Sequence, residues 1–392
     1  MLIRLLSIVC GFCVFVGCAL ADAPATRTRW PSTALTGAVN VTVHAAPGTM
    51  PAAGWPTVVY LKGLAAPRVG RTGDDEIITN LQRDGLLVLE IDYAGDAKAV
   101  GPNLAIDVLK LRKDLTDAKS RGLLPETKVD ANHLFFVPAG RTLRRNIEFA
   151  RDGDRVLGMD IIVPVDPAKP VPVLVEFTCD NVNRMGSGSL LFCRDTLLEV
   201  GAMDGFAVAM ADHPVAPPYK GIDDPMPQVL EWAQAAVAKL RSMNDELKLT
   251  GKVGAIGFSR GGPFAAMLAA RGDVDAALVH GNRYDYTTLA DSDPMLARFT
   301  KAWGSIDDSR DRWKQHGAIA HMTDKCAPMF LNTSDAESEE YRDGLIKLES
   351  ALSDNGVEHV YQVDSDGRGH KVSTDPKTLR TMTDFFHKHL EK

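Results

Sequence analysis

Short apolar runs separated by segments of helical length recur along most of the chain. From Trp55 the pattern predicts a buried strand at Thr57-Val58-Val59-Tyr60-Leu61, a short helix ending near Asp84-Gly85, and a strand from Leu86 to Ile91. A helix around Leu104 to Leu115 and a strand at His133-Leu134-Phe135-Phe136-Val137 follow. Such runs, spaced by helices, belong in a parallel sheet covered on both faces. Near Asn146 the pattern changes to a hairpin, Asn146 to Ala150 and Arg155 to Val163 around the turn dipeptide Asp152-Gly153. Alternation then resumes, with strands at Val173 to Phe177, Ala207 to Ala211, Lys252 to Phe258, Ala276 to His280, Met329 to Thr333 and Val357 to Val363. Val229, Trp232, Ala233, Ala236, Val237 and Leu240 share one helical face, as do Leu345, Leu348 and Leu352. Asn355-Gly356 suits the end of the second of these helices, and Thr374-Asp375-Pro376 the start of the last.

This order predicts an α/β region over residues 22–144 and a larger α/β unit over 145–392, interrupted by an excursion from Asn282 to Ala320. The excursion holds Arg283, Tyr284, Tyr286, Phe299, Trp303 and Trp313, which can form a lid, a substrate wall or the segment's own core. Residues 57–140 and 173–261 also run through the same succession of elements, with Asp204-Gly205 where Asp84-Gly85 stood. The first stretch ends in Val137-Pro138-Ala139-Gly140-Arg141 and lacks a serine at its close, which makes it a candidate degenerate half-repeat.

A leader is expected ahead of Asp22. A positive start at Arg4, an apolar run from Leu5 to Gly17 and Ala19-Leu20-Ala21 match a signal peptide over residues 1–21. The run is shorter than the roughly 20 residues that cross a bilayer, so no stable membrane span is expected after cleavage. The expected location is secreted or periplasmic, with lipid attachment at Cys18 as the lesser alternative. Net charge is -7 with scattered cations, so a nucleic-acid partner is not expected. Of six cysteines, Cys179, Cys193 and Cys326 follow the leader. Cys179 and Cys193 can close a short loop in an oxidising compartment, or each can be an ordinary buried thiol. No cluster has metal-ligand spacing, and no metal or other cofactor is expected.

The chemistry concentrates at Gly257-Phe258-Ser259-Arg260-Gly261, where an apolar strand runs into a helix rich in Ala, Met and Leu. A sharp strand-to-helix bend holds such a serine in a strained conformation and needs glycine on both sides. The Arg260 amide then lies at a helix start, where a developing oxyanion is favoured. A serine needs a base. Candidates include His213, His280, His316, His321, His359 and His370, and His370, in the loop Asp366-Gly367-Arg368-Gly369-His370 after the last strand, is the prime one. His359 falls in a strand, His387 and His389 ride on the last helix, and His316 and His321 fall in the surface excursion. The acid comes from Ser334-Asp335-Ala336-Glu337 after the preceding strand, where either carboxylate satisfies the order serine, acid, histidine. Asp285 is the remaining alternative.

The stretch from Gly317 to His370 resembles the C-terminal third of α/β-hydrolase esterases of the acetyl-xylan and feruloyl esterase type. In those, an apolar strand leads to Gly-x-x-Asp, a helix, Gly-Val, a strand and Gly-x-Gly-His. The resemblance puts Ser334 at the glycine position and Glu337 at the acid position, a departure from aspartate. It covers about residues 145–392 and implies an α/β-hydrolase fold with a mostly parallel central sheet flanked by helices. Many esterases of the superfamily carry His-Gly-Gly-Gly after the strand that ends here at Phe177; this chain has Thr178-Cys179-Asp180-Asn181. The second oxyanion donor is therefore assigned to an amide near Thr178 or Cys179. The Ser259-Arg260 pair is similar to that of glucuronoyl esterases, which implies a charge-binding arginine; a plain surface arginine is the alternative.

The resemblance implies a secreted serine esterase without cofactor, acting on a small-molecule or polysaccharide ester. A serine exopeptidase of the prolyl-oligopeptidase type shares the triad order and is the alternative, although residues 22–145 are too short and too α/β-like for a gating propeller. A binding protein on a hydrolase scaffold is disfavoured by the filled nucleophile and base positions.

Overall fold

The computed structural model describes residues 25–31, 38–62, 72–93, 104–116, 124, 127–177, 201, 204–213, 226–373 and 375–391. The proposed leader, Thr178, Cys179 and Cys193 lie outside these residues.

Two sheets follow one another along the chain. The first holds β1 (Thr26–Pro31), β2 (Ala38–His44), β3 (Trp55–Lys62), β4 (Leu87–Asp92) and β5 (Val129–Pro138), with α1 (Asp74–Arg83) and α2 (Leu104–Thr116) between its parallel strands. Its order is β1-β2-β4-β3-β5. The antiparallel pair β1 and β2 was not legible from the pattern of the first 50 residues.

The second sheet begins at β6 (Arg141–Asp152), four positions earlier than the hairpin pattern placed the boundary, and continues through β7 (Arg155–Pro164), β8 (Val171–Phe177) and β9 (Ala207–Ala211). Then come α3 (Met226–Ser242), α4 (Asn244–Leu247), β10 (Leu249–Gly257), α5 (Gly262–Ala270) and β11 (Ala276–His280). α6 (Leu296–Trp303), α7 (Ile306–His316), β12 (Met329–Ser334), α8 (Glu339–Asp354), β13 (His359–Asp364) and α9 (Pro376–Leu390) complete it. Read from its antiparallel edge, the sheet runs β6-β7-β9-β8-β10-β11-β12-β13. Asp375 caps α9 by accepting from the Thr378 amide, and Pro376 fills its first turn.

The first five strands of the two sheets share order and direction. β1 and β6 each pair antiparallel with the next strand, which pairs antiparallel with β4 or β9, and β3 and β8 are each central to two parallel neighbours. The match extends to register. Leu61 faces Pro138 as Phe177 faces Gly257, and both strand pairs carry an irregularity just after their first pairing. The Ala139 amide donates to Leu61 O at 3.0 Å as the Phe258 amide donates to Phe177 O at 3.1 Å. The turns before β4 and β9 both use glycine at positive φ, Gly85 at 79° and Gly205 at 102°. By this register Gly140 stands where Ser259 stands. The chains then part: Gly140 leads directly into β6, whereas Ser259 leads into a helical turn and α5.

One apolar cluster joins the two sheets, with Tyr60, Ile77, Leu81 and Phe135 from the first side meeting Leu174, Phe206, Phe330 and Phe386. A second cluster under the other face of the second sheet packs Val229, Ala233, Val237 and Leu240 of α3 against β8, β9 and β10. The aromatic residues of the excursion form a core of their own: Tyr286, Trp303 and Trp313 are buried, with Phe299 stacked on Trp303 at 4.6 Å. His316 belongs to that core rather than to the surface: it is 2% exposed and stacks on Trp303 at 4.1 Å. Its pairing with the indole face, rather than an exposed position, explains a histidine at the end of α7.

Candidate active site

The backbone at Ser259 has φ of 50°, in the left-handed region that costs a non-glycine residue about 1–3 kcal/mol. The flanking glycines explain how the turn closes. A Cβ on Gly257 would stand 2.5 Å from Gly261 O, and one on Gly261 would collide with Phe177 O. Side-chain-free backbone at both positions lets β10, the turn and β8 close on one another. Asn282, at the start of the excursion, donates from Nδ2 to Ser259 O at 2.5 Å and so ties down the strained residue.

His370 sits where the loop after β13 folds back over this turn. Its Nε2 lies 2.8 Å from Ser259 Oγ and its Nδ1 lies 2.6 Å from Glu337 Oε2. With Nδ1 carrying a proton donated to the carboxylate, Nε2 is left as acceptor for the serine hydroxyl. The loop is braced from beneath by Arg368, whose Nη1 contacts Asp364 at 2.7 Å and Asp366 at 2.6 Å, and whose Nη2 donates to Asn332 Oδ1 at 2.8 Å. Gly367 and Gly369 take φ of 62° and 63°, which the reversal requires.

Glu337 is buried, and its other oxygen accepts from the Ser338 amide at 2.9 Å. Room for the longer acid is made at Gly281, where a Cβ would meet Glu337 Oε2 at 2.7 Å. Asp335 is engaged elsewhere: Oδ1 accepts from the Gly367 amide at 3.0 Å and from Ser334 Oγ at 3.2 Å, anchoring the histidine loop. Asp285 accepts from Thr287 and Thr288 inside the excursion. Thus the structure brings Ser259, His370 and Glu337 together and leaves Asp335 and Asp285 with other partners. Arg260 follows the serine in the turn Ser259–Gly261, directly ahead of α5. Thr178 and Cys179 fall outside the described residues.

His280, one of the candidate bases, does not meet Ser259. It ends β11 fully buried, stacked on Phe258 at 4.2 Å and edge-on to His370 at 5.3 Å; Nδ1 stands 4.0 Å from Glu337 Oε2, and neither ring nitrogen has a hydrogen-bond partner among the described residues. Burial, then the neighbouring His370 and Arg368, push its pKa well below the usual histidine value, so the ring is neutral. His280, Glu337 and His370 are the one group among the described residues whose donor atoms, all within 4.8 Å of one another, could converge on a metal. Glu337 and His370 already satisfy each other, and the pair has no need of an ion to explain its geometry.

Residues 223–392 match the model of the prolyl oligopeptidase family, Peptidase_S9. Among solved structures the chain is similar to a truncated form of a carbohydrate esterase from gut microbiota, with a TM-score of 0.51 and 18% identity over 64% of this chain and 97% of that one. It is also similar to the Pyrococcus horikoshii acylaminoacyl peptidase, at 0.52 and 15% over 64% of this chain and 42% of that one. A third neighbour is a bifunctional GH43-CE protein of Bacteroides eggerthii, at 0.50 and 19% over 63% and 38%. The chain has the α/β-hydrolase fold. It spans about two fifths of the last two neighbours, and at these identities the likeness speaks for the fold alone. No curated protein matches it. No helix of the chain, among the described residues, is long and apolar enough to cross a membrane.

Proposed function

We propose that the protein is an exported carboxylic ester hydrolase in which Ser259 is the nucleophile, His370 the general base and Glu337 the orienting acid. The observation that carries the reading is the unbroken hydrogen-bonded relay, 2.8 Å from Ser259 Oγ to His370 Nε2 and 2.6 Å from His370 Nδ1 to Glu337 Oε2. His370 takes the serine proton as Oγ attacks the ester carbonyl, and Glu337 stabilises the imidazolium that forms. The tetrahedral oxyanion is received by the Arg260 amide and by an amide near Thr178 or Cys179. His370 returns the proton to the departing alcohol. Water, deprotonated by the same ring, then releases the acid from Ser259.

Esters are favoured over peptides by size. The carbohydrate esterase is covered over 97% of its length, and the segment ahead of the second sheet is a five-stranded α/β unit rather than a propeller. Acyl groups on polysaccharide are the substrate class that suits this neighbour and an exported protein. The family match over residues 223–392 favours a second reading, an exopeptidase of the prolyl-oligopeptidase type.

A fluorophosphonate probe should label the native protein and fail to label Ser259→Ala. Acetyl and feruloyl esters should then be turned over faster than aminoacyl-prolyl substrates. Equal labelling of both proteins would end the assignment of Ser259, and preferential aminoacyl-prolyl cleavage would establish the peptidase reading.

A further inference from the structure

In open α/β sheets, ligands bind outside the carboxyl ends of the strands, where successive crossovers leave in opposite directions. The second sheet uses that point for Ser259, beyond the ends of β8 and β10. By register the matching place in the first sheet lies just beyond β5, at Ala139, Gly140 and Arg141, where the chain runs straight on into β6 instead of crossing over. These three residues line a cavity of about 760 Å³, well inside the roughly 300–1,000 Å³ of small-molecule sites. Its opposite wall is the loop between β7 and β8 together with the start of β10.

At the cavity wall Arg141 is 6% exposed. It donates from Nη1 to Phe206 O at 2.7 Å, and no carboxylate pairs with it among the described residues. Burial alone pulls its pKa down to about 10, so the guanidinium is charged at neutral pH and carries an uncompensated desolvation cost. Such a fork matches a carboxylate in two parallel hydrogen bonds. Lys169 and Lys252 add positive charge at the lining, but Lys252 is already paired with Asp275. Asp166, Asp204 and Glu391 stand on the same lining, which opposes a dianion more strongly than a monoanion. Apolar surface comes from Val165, Pro167, Pro170, Pro172, Leu249 and Leu390.

We infer that this cavity is a second binding site, which takes an organic monocarboxylate by pairing its carboxylate with Arg141 and its apolar body with the proline-rich wall. The site is separate from Ser259, and does not depend on the ester-hydrolase reading. The β7–β8 loop is held over it by Thr72, whose Oγ1 donates to Asp166 Oδ2 at 2.9 Å.

The probe is benzoate, titrated by calorimetry and saturation-transfer NMR into the full chain before and after phosphonylation of Ser259. Saturable binding that survives phosphonylation is expected, weakened at least tenfold in Arg141→Met and severalfold in the exposed-loop variant Lys169→Glu. Circular dichroism establishes that each variant is folded, and Lys169→Glu carries the test if Arg141→Met is not. Absence of saturable binding, binding undiminished in the folded variants, or binding abolished by phosphonylation would overturn the proposal. Inorganic phosphate binding as tightly as benzoate would overturn the assignment to an organic monocarboxylate.

Discussion

A Cβ on Gly281 would stand 2.7 Å from Glu337 Oε2, the oxygen that receives the His370 Nδ1 proton. The glycine and the glutamate are therefore matched: the extra methylene of the acid, relative to aspartate, uses the space that a side chain at 281 would fill. Gly281→Ala should push the carboxylate off the imidazole and lower kcat/KM by about 10–100-fold with little change in KM, since misplacement of about 1 Å costs on that order. Steady-state kinetics on an activated ester would show it, and a variant as active as the native protein would remove the steric link.

Glu337 and Asp335 should separate cleanly. Glu337→Gln keeps the shape but not the charge that stabilises the imidazolium, and kcat should fall by about 10³ or more. Asp335→Asn weakens the anchor to the Gly367 amide and should lower Tm by several degrees while kcat falls less than about tenfold. The reverse ranking would move the acid to Asp335.

Arg368 holds the histidine loop with contacts to Asp364, Asp366 and Asn332. Arg368→Met leaves Asp364 half-buried without its cation, and a loss of about 3–5 kcal/mol is expected, as for other buried pairs deprived of one partner. Urea unfolding with an unchanged m-value would measure it. Loss of activity at urea concentrations below the global midpoint would show that the loop departs first.

Two aspartates set an acid limit. Burial raises Asp275, but the Val253 amide, Lys252 and Arg241 outweigh it and hold the carboxyl below its usual range. Asp366 is likewise raised by burial and lowered further by Arg368. A carboxyl depressed in the folded state stabilises above its unfolded pKa, and that stability is lost as pH falls through the folded value. Stability should therefore fall steeply below about pH 4, and Asp275→Asn should be less stable at pH 7 with a shallower acid slope.

His280 acts in a higher window. Its folded pKa is depressed, so the unfolded chain takes up a proton at a pH where the folded chain does not, and stability declines as pH falls below about 6.5. His280→Phe removes that uptake together with two buried nitrogens that have no hydrogen-bond partner among the described residues. Tm should become flatter between about pH 6.5 and 5 and should not fall at pH 8. A variant that keeps the native slope would place the proton uptake elsewhere.

Strands legible in the sequence were those whose residues are buried on both faces, such as Val173 to Phe177, because their apolar run is continuous. β1 and β2 were missed because little of either is buried: edge strand β1 buries only Trp30, and in β2 Val39 and Val41 alternate with exposed Ala38 and Asn40, a short alternation that resembles a loop. The turn at Ser259 and the loop at His370 were legible because their geometry demands glycine, and glycine leaves a mark in the sequence. Asp335 and Glu337 satisfy the same chain order, and the groups that set Glu337 rather than Asp335 against His370, Gly281 and the Gly367 amide, lie far from both in sequence. The burial of His316 depended on Trp303 curling back to meet it, a contact that local periodicity does not encode.

The direct passage from β5 through Gly140 into β6, with no linker between the sheets, has a mechanical result. The Gly140 amide donates to Tyr60 Oη at 2.9 Å, and residues of both sheets share one apolar cluster. Separating them would bare that shared face to water before either sheet had lost a strand. The protein should melt in a single calorimetric transition whose van't Hoff and measured enthalpies agree, and cutting the chain at residue 145 should yield an aggregating fragment instead of a smaller working enzyme.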